Sequence, residues 1–231
     1  MTAIVLAGGI GTRLKSVVNH IPKPMALING KPFLEYLLRH LQRNKITEII
    51  LSVGYKNDII RSYFGTHFND IPISYSVEDK PLGTGGAIRL ALEKCDPCNV
   101  FICNGDTYFD VNLAKLERYH LQTGTDISIS LKEMNNADRY GLVEIKGGLV
   151  SSFLEKGCKD HGFINGGVYI VNKSIFNSFN LPDRFSFERF LEENLNRIKV
   201  CGFPSVGNFI DIGIPEDYES AQALMPKWVI L

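Results

Sequence analysis

Short apolar runs alternate with longer amphipathic stretches along the chain, and glycine, proline or charge closes each run. Thr2 to Ala7 reads as a buried first strand running into a glycine-rich loop. From Pro32 onward, Phe33, Leu34, Leu37, Leu38 and Leu41 recur at helical spacing, with the proline accommodated in the first turn. Strands are predicted at Glu48 to Val53, Ile73 to Val77 and Asn99 to Cys103. Helices at about Asn57 to Phe64 and Thr84 to Glu93 separate them. This alternation predicts an α/β fold, a predominantly parallel mixed sheet with helices on both faces.

The second half changes rhythm. A helix around Asn112 to Leu121 precedes an apolar segment from Thr125 to Leu131. Gly141 to Ile145 and Leu149 to Leu154 flank Gly147 and Gly148 as a short antiparallel ribbon. Phe163 to Val171 is a further strand, Phe185 to Leu195 a helix, and Pro215 to Leu224 a last helix beginning just after Asp211, Ile212 and Gly213. No internal repeat or low-complexity linker interrupts the pattern. The expected organisation is one domain over residues 1–231, large enough to bury about 70% of its extended surface.

Composition narrows the function. Lys and Arg number 25 and Asp and Glu 25, so the formal net charge is zero. Neither a nucleic-acid coat nor a binder of anionic membrane is suggested. Apolar runs fall far short of the roughly 20 residues that span a bilayer, so no membrane insertion is expected. The first residues lack the pattern of a secretory signal, which favours the cytoplasm. Five cysteines, an odd number, suit reduced thiols. Cys95 and Cys98 have CxxC spacing without a second pair, and read as a helix-to-strand junction.

Charge is uneven locally. Between Gly11 and Met25 the chain carries Arg13, Lys15 and Lys23 but no carboxylate. Gly8, Gly9 and Gly11 permit close backbone approach to an anion, and Pro22 and Pro24 stiffen the loop that carries Lys23. A polyphosphate suits that field. The glycine spacing matches neither the P-loop nor the dinucleotide fingerprint. A second glycine-rich loop runs from Glu78 through Gly83, Thr84, Gly85 and Gly86. Asn104, Gly105 and Asp106 follow a buried strand, where ligands of open α/β sheets gather. Phe209, Ile210, Asp211, Ile212 and Gly213 repeat the order of apolar residues, aspartate and glycine, and two such aspartates can share a cation.

Leu6-Ala7-Gly8-Gly9-Ile10-Gly11-Thr12-Arg13-Leu14, taken with Pro22-Lys23-Pro24-Met25, resembles the sugar-phosphate nucleotidyltransferases. The similarity extends from Ala3 to about Ala221. Within that family the chain looks most like the bacterial enzymes that transfer guanylyl to D-glycero-α-D-manno-heptose 1-phosphate, on the opening residues through Lys31 to Leu38 and on Ile210 to Tyr218. The resemblance implies a Rossmann-like nucleotidyltransferase fold, with no C-terminal repeat domain. It also implies a reaction of GTP with heptose 1-phosphate that gives GDP-heptose for capsule or surface polysaccharide, and pyrophosphate.

The resemblance further implies a division of labour. Leu6, Ala7, Gly8, Gly9, Gly11, Thr12, Arg13, Lys23, Glu78, Gly83 and Thr84 would hold the nucleotide. Asn104, Gly105, Tyr140, Gly141, Glu155, Lys156, Asn165 and Gly166 would hold the sugar phosphate. Asp106 and Asp211 would bind Mg²⁺, and with Arg13 and Lys23 would form the catalytic set. Gly213-Ile214-Pro215 departs from the commoner Gly-Thr-Pro, and Phe209 stands where the family usually has tryptophan. Mannose 1-phosphate guanylyl transfer, transfer to another sugar 1-phosphate, uridylyl or cytidylyl transfer, and a catalytically silent regulator that binds a nucleotide sugar are the alternative readings. A homodimer is an open assembly.

Overall fold

Alternation along the first strand sets the architecture. Ala3 and Val5 pack into one core cluster and Ile4 into another, and Ile50 of the neighbouring strand joins Ile4. Such a strand must be covered on both faces. The structure, a computed structural model, describes residues 1–9, 11, 14 and 21–229. In chain order its elements are β1 (Thr2–Leu6), a short hairpin of β2 (Leu27–Ile28) and β3 (Lys31–Pro32), α1 (Phe33–Arg43), β4 (Glu48–Val53), α2 (Asn57–Phe64), β5 (His67–Phe68) and β6 (Ile71–Val77). They continue with α3 (Gly83–Leu92), β7 (Asn99–Asn104), β8 (Thr107–Phe109), α4 (Leu113–Thr123), β9 (Ile127–Asn135), β10 (Leu142–Lys146) and β11 (Leu149–Leu154). The last are β12 (His161–Asn172), α5 (Phe187–Asn194), β13 (Val200–Ser205), β14 (Phe209–Asp211) and α6 (Pro215–Trp228).

A ten-stranded sheet runs in the order β10-β11-β13-β9-β12-β7-β1-β4-β6-β5. Leu34, Leu37, Leu38 and Leu41 of α1, with Ile60 and Phe64 of α2 and Leu113 and Leu116 of α4, cover one face. Ile88, Ala91 and Leu92 of α3 and Phe187, Phe190 and Leu191 of α5 cover the other. The α/β class and the two helical layers are as expected. Parallel pairing, however, does not predominate. It is confined to β7-β1-β4-β6 and to β13 beside β9, while the other pairs of neighbours are antiparallel. The second half of the chain is richer in hairpins than its short apolar runs suggested.

Several elements run differently from their sequence signals. β13 escapes a strand reading because it contains Gly202 and Pro204, both strand breakers. A Cβ at Gly202 would meet Leu131 at 2.6 Å and Ile145 at 2.7 Å, so only glycine lets neighbouring side chains cross there. β12 is longer than the Phe163 to Val171 segment, and its register with β9 shifts between Asn165 and Tyr169. Gly167, with φ +73°, sits in that irregularity. Cys95 and Cys98 lie between α3 and β7 as a junction, and all five cysteines are free. Among the described residues no helix is long and apolar enough to cross a membrane.

One buried histidine gives stability a pH dependence. His120, 3% exposed, meets Ser128 Oγ through its Nδ1 at 2.9 Å, and burial holds its pKa below the usual 6.5. The folded chain therefore keeps this ring neutral at pH values where the unfolded chain takes up a proton. Stability is fully present above the unfolded value and is lost as pH falls below about 6.5. Urea unfolding should show a larger loss between pH 7.5 and 5.5 for the native chain than for His120→Gln. Equal losses would contradict this assignment.

Candidate active site

The strand ends on one edge of the sheet form the floor of a cavity of about 780 Å³. β1 places Leu6 there, and beyond it Ala7 N–H donates to the Ser52 carbonyl at 2.7 Å, carrying the strand pairing one residue further. Gly8 then lies against the Glu78 carboxylate: a Cβ would stand 2.6 Å from Glu78 Oε1 and 3.2 Å from the Gly54 nitrogen. Gly11 has φ +61°, and a Cβ there would press on Lys23 Cβ at 2.9 Å. Glycine at these positions lets the loop lie directly on its neighbours.

Lys23 opens a short 3₁₀ turn through Met25. Its side chain is only 10% exposed, and its Nζ lies 2.7 Å from Asp106 Oδ2 and 3.7 Å from Asp211 Oδ1. The fold explains how residues so far apart in sequence meet. β8 pairs with β14, setting Thr107 opposite Asp211, and the Ile212 N–H donates to the Asp106 carbonyl at 3.1 Å. Gly105 closes the turn against β1, donating its N–H to the Leu6 carbonyl at 3.0 Å.

Electrostatics sharpen this triad. Burial raises the pKa of Asp211, and the Asp106 charge raises it further, while Lys23 opposes both. Asp211 Oδ1 is a buried oxygen without a hydrogen-bond partner among the described residues. Two converging carboxylates with one oxygen unsatisfied fit a hard divalent cation such as Mg²⁺, which prefers oxygen ligands. Among the described residues no cluster of three or more His, Cys, Asp or Glu converges on a metal position.

The opposite wall is built by α3. Gly83 has φ +71°, and a Cβ at Gly83, Gly85 or Gly86 would strike the 183–185 segment at 2.5, 2.2 or 2.4 Å. These glycines seat that segment on the helix. The Glu78 carboxylate accepts the Leu82 N–H at 2.9 Å, yet burial still raises its pKa. Thr84 lines the cavity, but its hydroxyl is already occupied, donating to Glu188 at 2.8 Å and accepting the Phe187 N–H at 2.8 Å.

Leu6, Gly8, Gly9, Gly11, Lys23, Glu78, Gly83, Thr84, Asn104 and Asp106 line the cavity, and Asp211 reaches it through Lys23. Thr12 and Arg13 lie outside the described residues. Ala7 and Gly105 stand behind the floor as backbone anchors. Asn165 and Gly166 lie on the irregular stretch of β12, where Asn165 Nδ2 donates to the Tyr169 hydroxyl at 2.7 Å. A Cβ on Gly166 would meet Phe109 at 2.4 Å. Tyr140 packs on Phe209 with ring centroids 6.1 Å apart, and burial with the Asp211 and Asp217 charges pushes its hydroxyl up to about 12. Gly141 lies against the Leu154 carbonyl. Glu155 and Lys156 are exposed just past β11 and do not line the cavity.

Sequence reasoning missed Gly54, Tyr55, Arg184, Glu188 and Gly213, which also line it. Gly54 and Tyr55 follow β4 at the same sheet edge as Gly8 and Asn104, so the strand-end rule could have found them. Arg184 and Glu188 arrive on a segment with no local ligand signature.

The chain matches the nucleotidyl transferase family over residues 2–227 and belongs to that family. It is 48% identical over 230 residues to D-glycero-α-D-manno-heptose 1-phosphate guanylyltransferase of Aneurinibacillus thermoaerophilus, covering 99% of this chain and 100% of that protein. It is 49% identical over 219 residues to the like-named protein of Campylobacter jejuni, covering 94% of this chain and 97% of the relative. The crystal structure of HddC from Yersinia pseudotuberculosis complexed with GMP-PN superimposes with a TM-score of 0.85 at 39% identity, covering 96% of this chain and 98% of that one.

Proposed function

We propose that this protein transfers guanylyl from GTP to D-glycero-α-D-manno-heptose 1-phosphate, giving GDP-heptose and pyrophosphate. The full-length likeness to two heptose 1-phosphate guanylyltransferases supports the substrates. The observation that carries the chemistry is the Lys23 ammonium held between the Asp106 and Asp211 carboxylates at one end of the cavity. In this reading a sugar-phosphate oxygen attacks the α-phosphorus of GTP, an O–P bond forms, and the bond to the β-phosphate bridging oxygen breaks as pyrophosphate leaves.

The nucleophile is already ionised near neutral pH, so no protein base or nucleophile is needed. The work left to the protein is alignment of two mutually repelling anions and neutralisation of their charge. Lys23 supplies a nearly buried cation at the reacting phosphates, and by the family resemblance Arg13 would stabilise the leaving pyrophosphate and Thr12 would bind the nucleotide. Asp106 and Asp211 are the residues that would hold Mg²⁺, which when bound supplies further charge neutralisation at the phosphates. Gly8 and Gly9 admit the nucleotide backbone closely. Asn104, Asn165 and Gly166 suit the sugar, and the family resemblance adds Tyr140, Gly141, Glu155 and Lys156 as further sugar-phosphate contacts. A single catalytic unit over 1–231 and a cytoplasmic setting belong to the same proposal.

Guanine offers N1–H and an exocyclic amine, and the Glu78 carboxylate suits both donors. Glu78→Gln should lower kcat/KM for GTP by about 10–100-fold, since a charged acceptor is lost. An unchanged value would remove Glu78 from base recognition. The reading as a whole is tested by incubation with Mg²⁺, each common NTP and a panel of sugar 1-phosphates, with nucleotide sugar and pyrophosphate measured separately. GDP-heptose is the expected principal product. GDP-mannose formed at much higher kcat/KM would overturn the heptose, and no product with any pair would overturn the activity.

A further inference from the structure

The Tyr169 hydroxyl marks a polar junction that the expected sugar contacts only partly use. Tyr169 is 1% exposed, its ring packs edge-on against Phe187 at 5.3 Å, and its hydroxyl accepts from Asn165 Nδ2. Burial raises the pKa of this phenol above its ordinary range, and the Glu188 charge adds to the effect while hydrogen bonds from Asn165 and Asn104 oppose it. β7, β12 and the first turn of α5 therefore bring Asn104, Asn165 and Glu188 around one buried hydroxyl. Asn104 and Glu188 both line the cavity that holds Lys23 and Asp106.

Glu188 is held in a defined orientation. Its Oε2 accepts the Thr84 hydroxyl at 2.8 Å and the Ser186 hydroxyl at 2.7 Å. Both donors are themselves anchored: Thr84 accepts the Phe187 N–H, and Ser186 caps α5 by accepting the Arg189 N–H. Among the described residues, the hydrogen bonds to this carboxylate fall on Oε2. Glu188 lines the cavity, and a carboxylate oriented through one oxygen is a preorganised acceptor for alcohol donors.

Resting on the guanylyltransferase reading above, we propose that Glu188 determines sugar specificity by accepting a hydrogen bond from a ring hydroxyl of the sugar 1-phosphate, with Thr84 and Ser186 as its positioning residues. Position favours the sugar over the nucleotide. The nucleotide-side groups, Gly8, Gly54 and Glu78, follow β1, β4 and β6, whereas Tyr169, whose ring packs on Phe187 beside Glu188, ties the start of α5 to Asn165 of β12 and Asn104 of β7. Thr84 thus acts by aiming a sugar-reading group, which explains why its own hydroxyl is fully engaged. Glu188 is exposed in the free chain, and a bound sugar that covers it without offering a hydroxyl would leave a desolvated acceptor unpaired, so an analogue lacking that hydroxyl is disfavoured.

The test is steady-state kinetics of the native chain and Glu188→Gln with heptose 1-phosphate and with analogues each lacking one ring hydroxyl. Glu188→Gln should raise KM for the sugar phosphate about 10–100-fold and leave KM for GTP within about twofold. One deoxy analogue should be disfavoured by the native chain by a similar factor, and that penalty should vanish in the variant. A rise in KM for GTP alone would move Glu188 to the nucleotide and overturn the proposal. An unchanged sugar KM, or equal deoxy penalties in both proteins, would overturn it as well. Calorimetric titration with heptose 1-phosphate needs no turnover. A native chain that binds this ligand without forming product refutes the activity reading, while Glu188 is then judged by whether Glu188→Gln weakens that binding.

Discussion

Lys23→Gln is expected to lower kcat by about 10²–10³ while KM for GTP changes far less, because its ammonium is realised most fully against the charge of the transition state. Three features support an effect of this size. Lys23 is nearly buried, it lies 2.7 Å from Asp106 Oδ2, and it is the cation that counters the mutual repulsion of Asp106 and Asp211. Gln keeps much of the length and loses the charge, leaving the two carboxylates with the Thr107 hydroxyl on Asp106 and the Gly213 backbone on Asp211 but without the Lys23 ammonium. The folded state should therefore lose stability as well, and the apparent pKa of Asp211 should rise further. Lys23→Arg should not restore the rate, since a planar guanidinium would replace a compact ammonium set 2.7 Å from Asp106 Oδ2. A kcat within tenfold of the native value would remove Lys23 from the reacting centre. Asp211→Asn offers the reverse signature, a large loss of rate with a fold at least as stable as the native one, because an ionised carboxylate raised in pKa by burial and by a like charge opposes folding.

Gly105→Ala is expected to be strongly damaging at the site, though it removes no functional group. A Cβ there would stand 2.5 Å from the Leu6 carbonyl oxygen and 3.1 Å from its carbon, and neither backbone strand can move aside within the sheet. The contact sits between β1 and β7, so relief requires the Asp106 turn to lift away from the cavity floor. We expect a loss of about 2–4 kcal/mol, or roughly 5–15 °C in Tm for a chain of this size. Activity should fall with it, since Asp106 would no longer face Lys23. Differential scanning calorimetry decides the first part. A Tm within 2 °C of the native value would show that the turn yields cheaply.

These two substitutions also show what a single sequence makes visible. Gly8, Gly9, Lys23, Asn104 and Asp106 are legible because strand ends in open α/β sheets are where ligands collect, and their chemistry is local to short motifs. The main strands and helices of the first half are legible for the same local reason. Asp211 is readable through its likeness to the Asp106 segment and through the family resemblance of Ile210 to Tyr218, and the structure brings the two aspartates together because β8 and β14 pair directly. Glu188 has no such marker. Its place follows from α5 docking on α3 through Gly83, Gly85 and Gly86, a contact between segments about a hundred residues apart that no local pattern encodes. β13 was hidden by Gly202 and Pro204, and the antiparallel share of the sheet by hairpins whose strands are short or bulged. Non-local packing, more than local propensity, separates what was read from what was missed.

The central claim is that catalysis here is alignment and charge neutralisation of two anions around Lys23, Asp106 and Asp211, with a single displacement and no covalent protein intermediate. Stereochemistry at the α-phosphorus tests it most directly. With GTP carrying one sulfur of defined configuration on that phosphorus and heptose 1-phosphate as acceptor, phosphorus NMR of the thio-GDP-heptose should show inversion. Retention would require two successive displacements, and with them a nucleophile on the protein that this account does not contain.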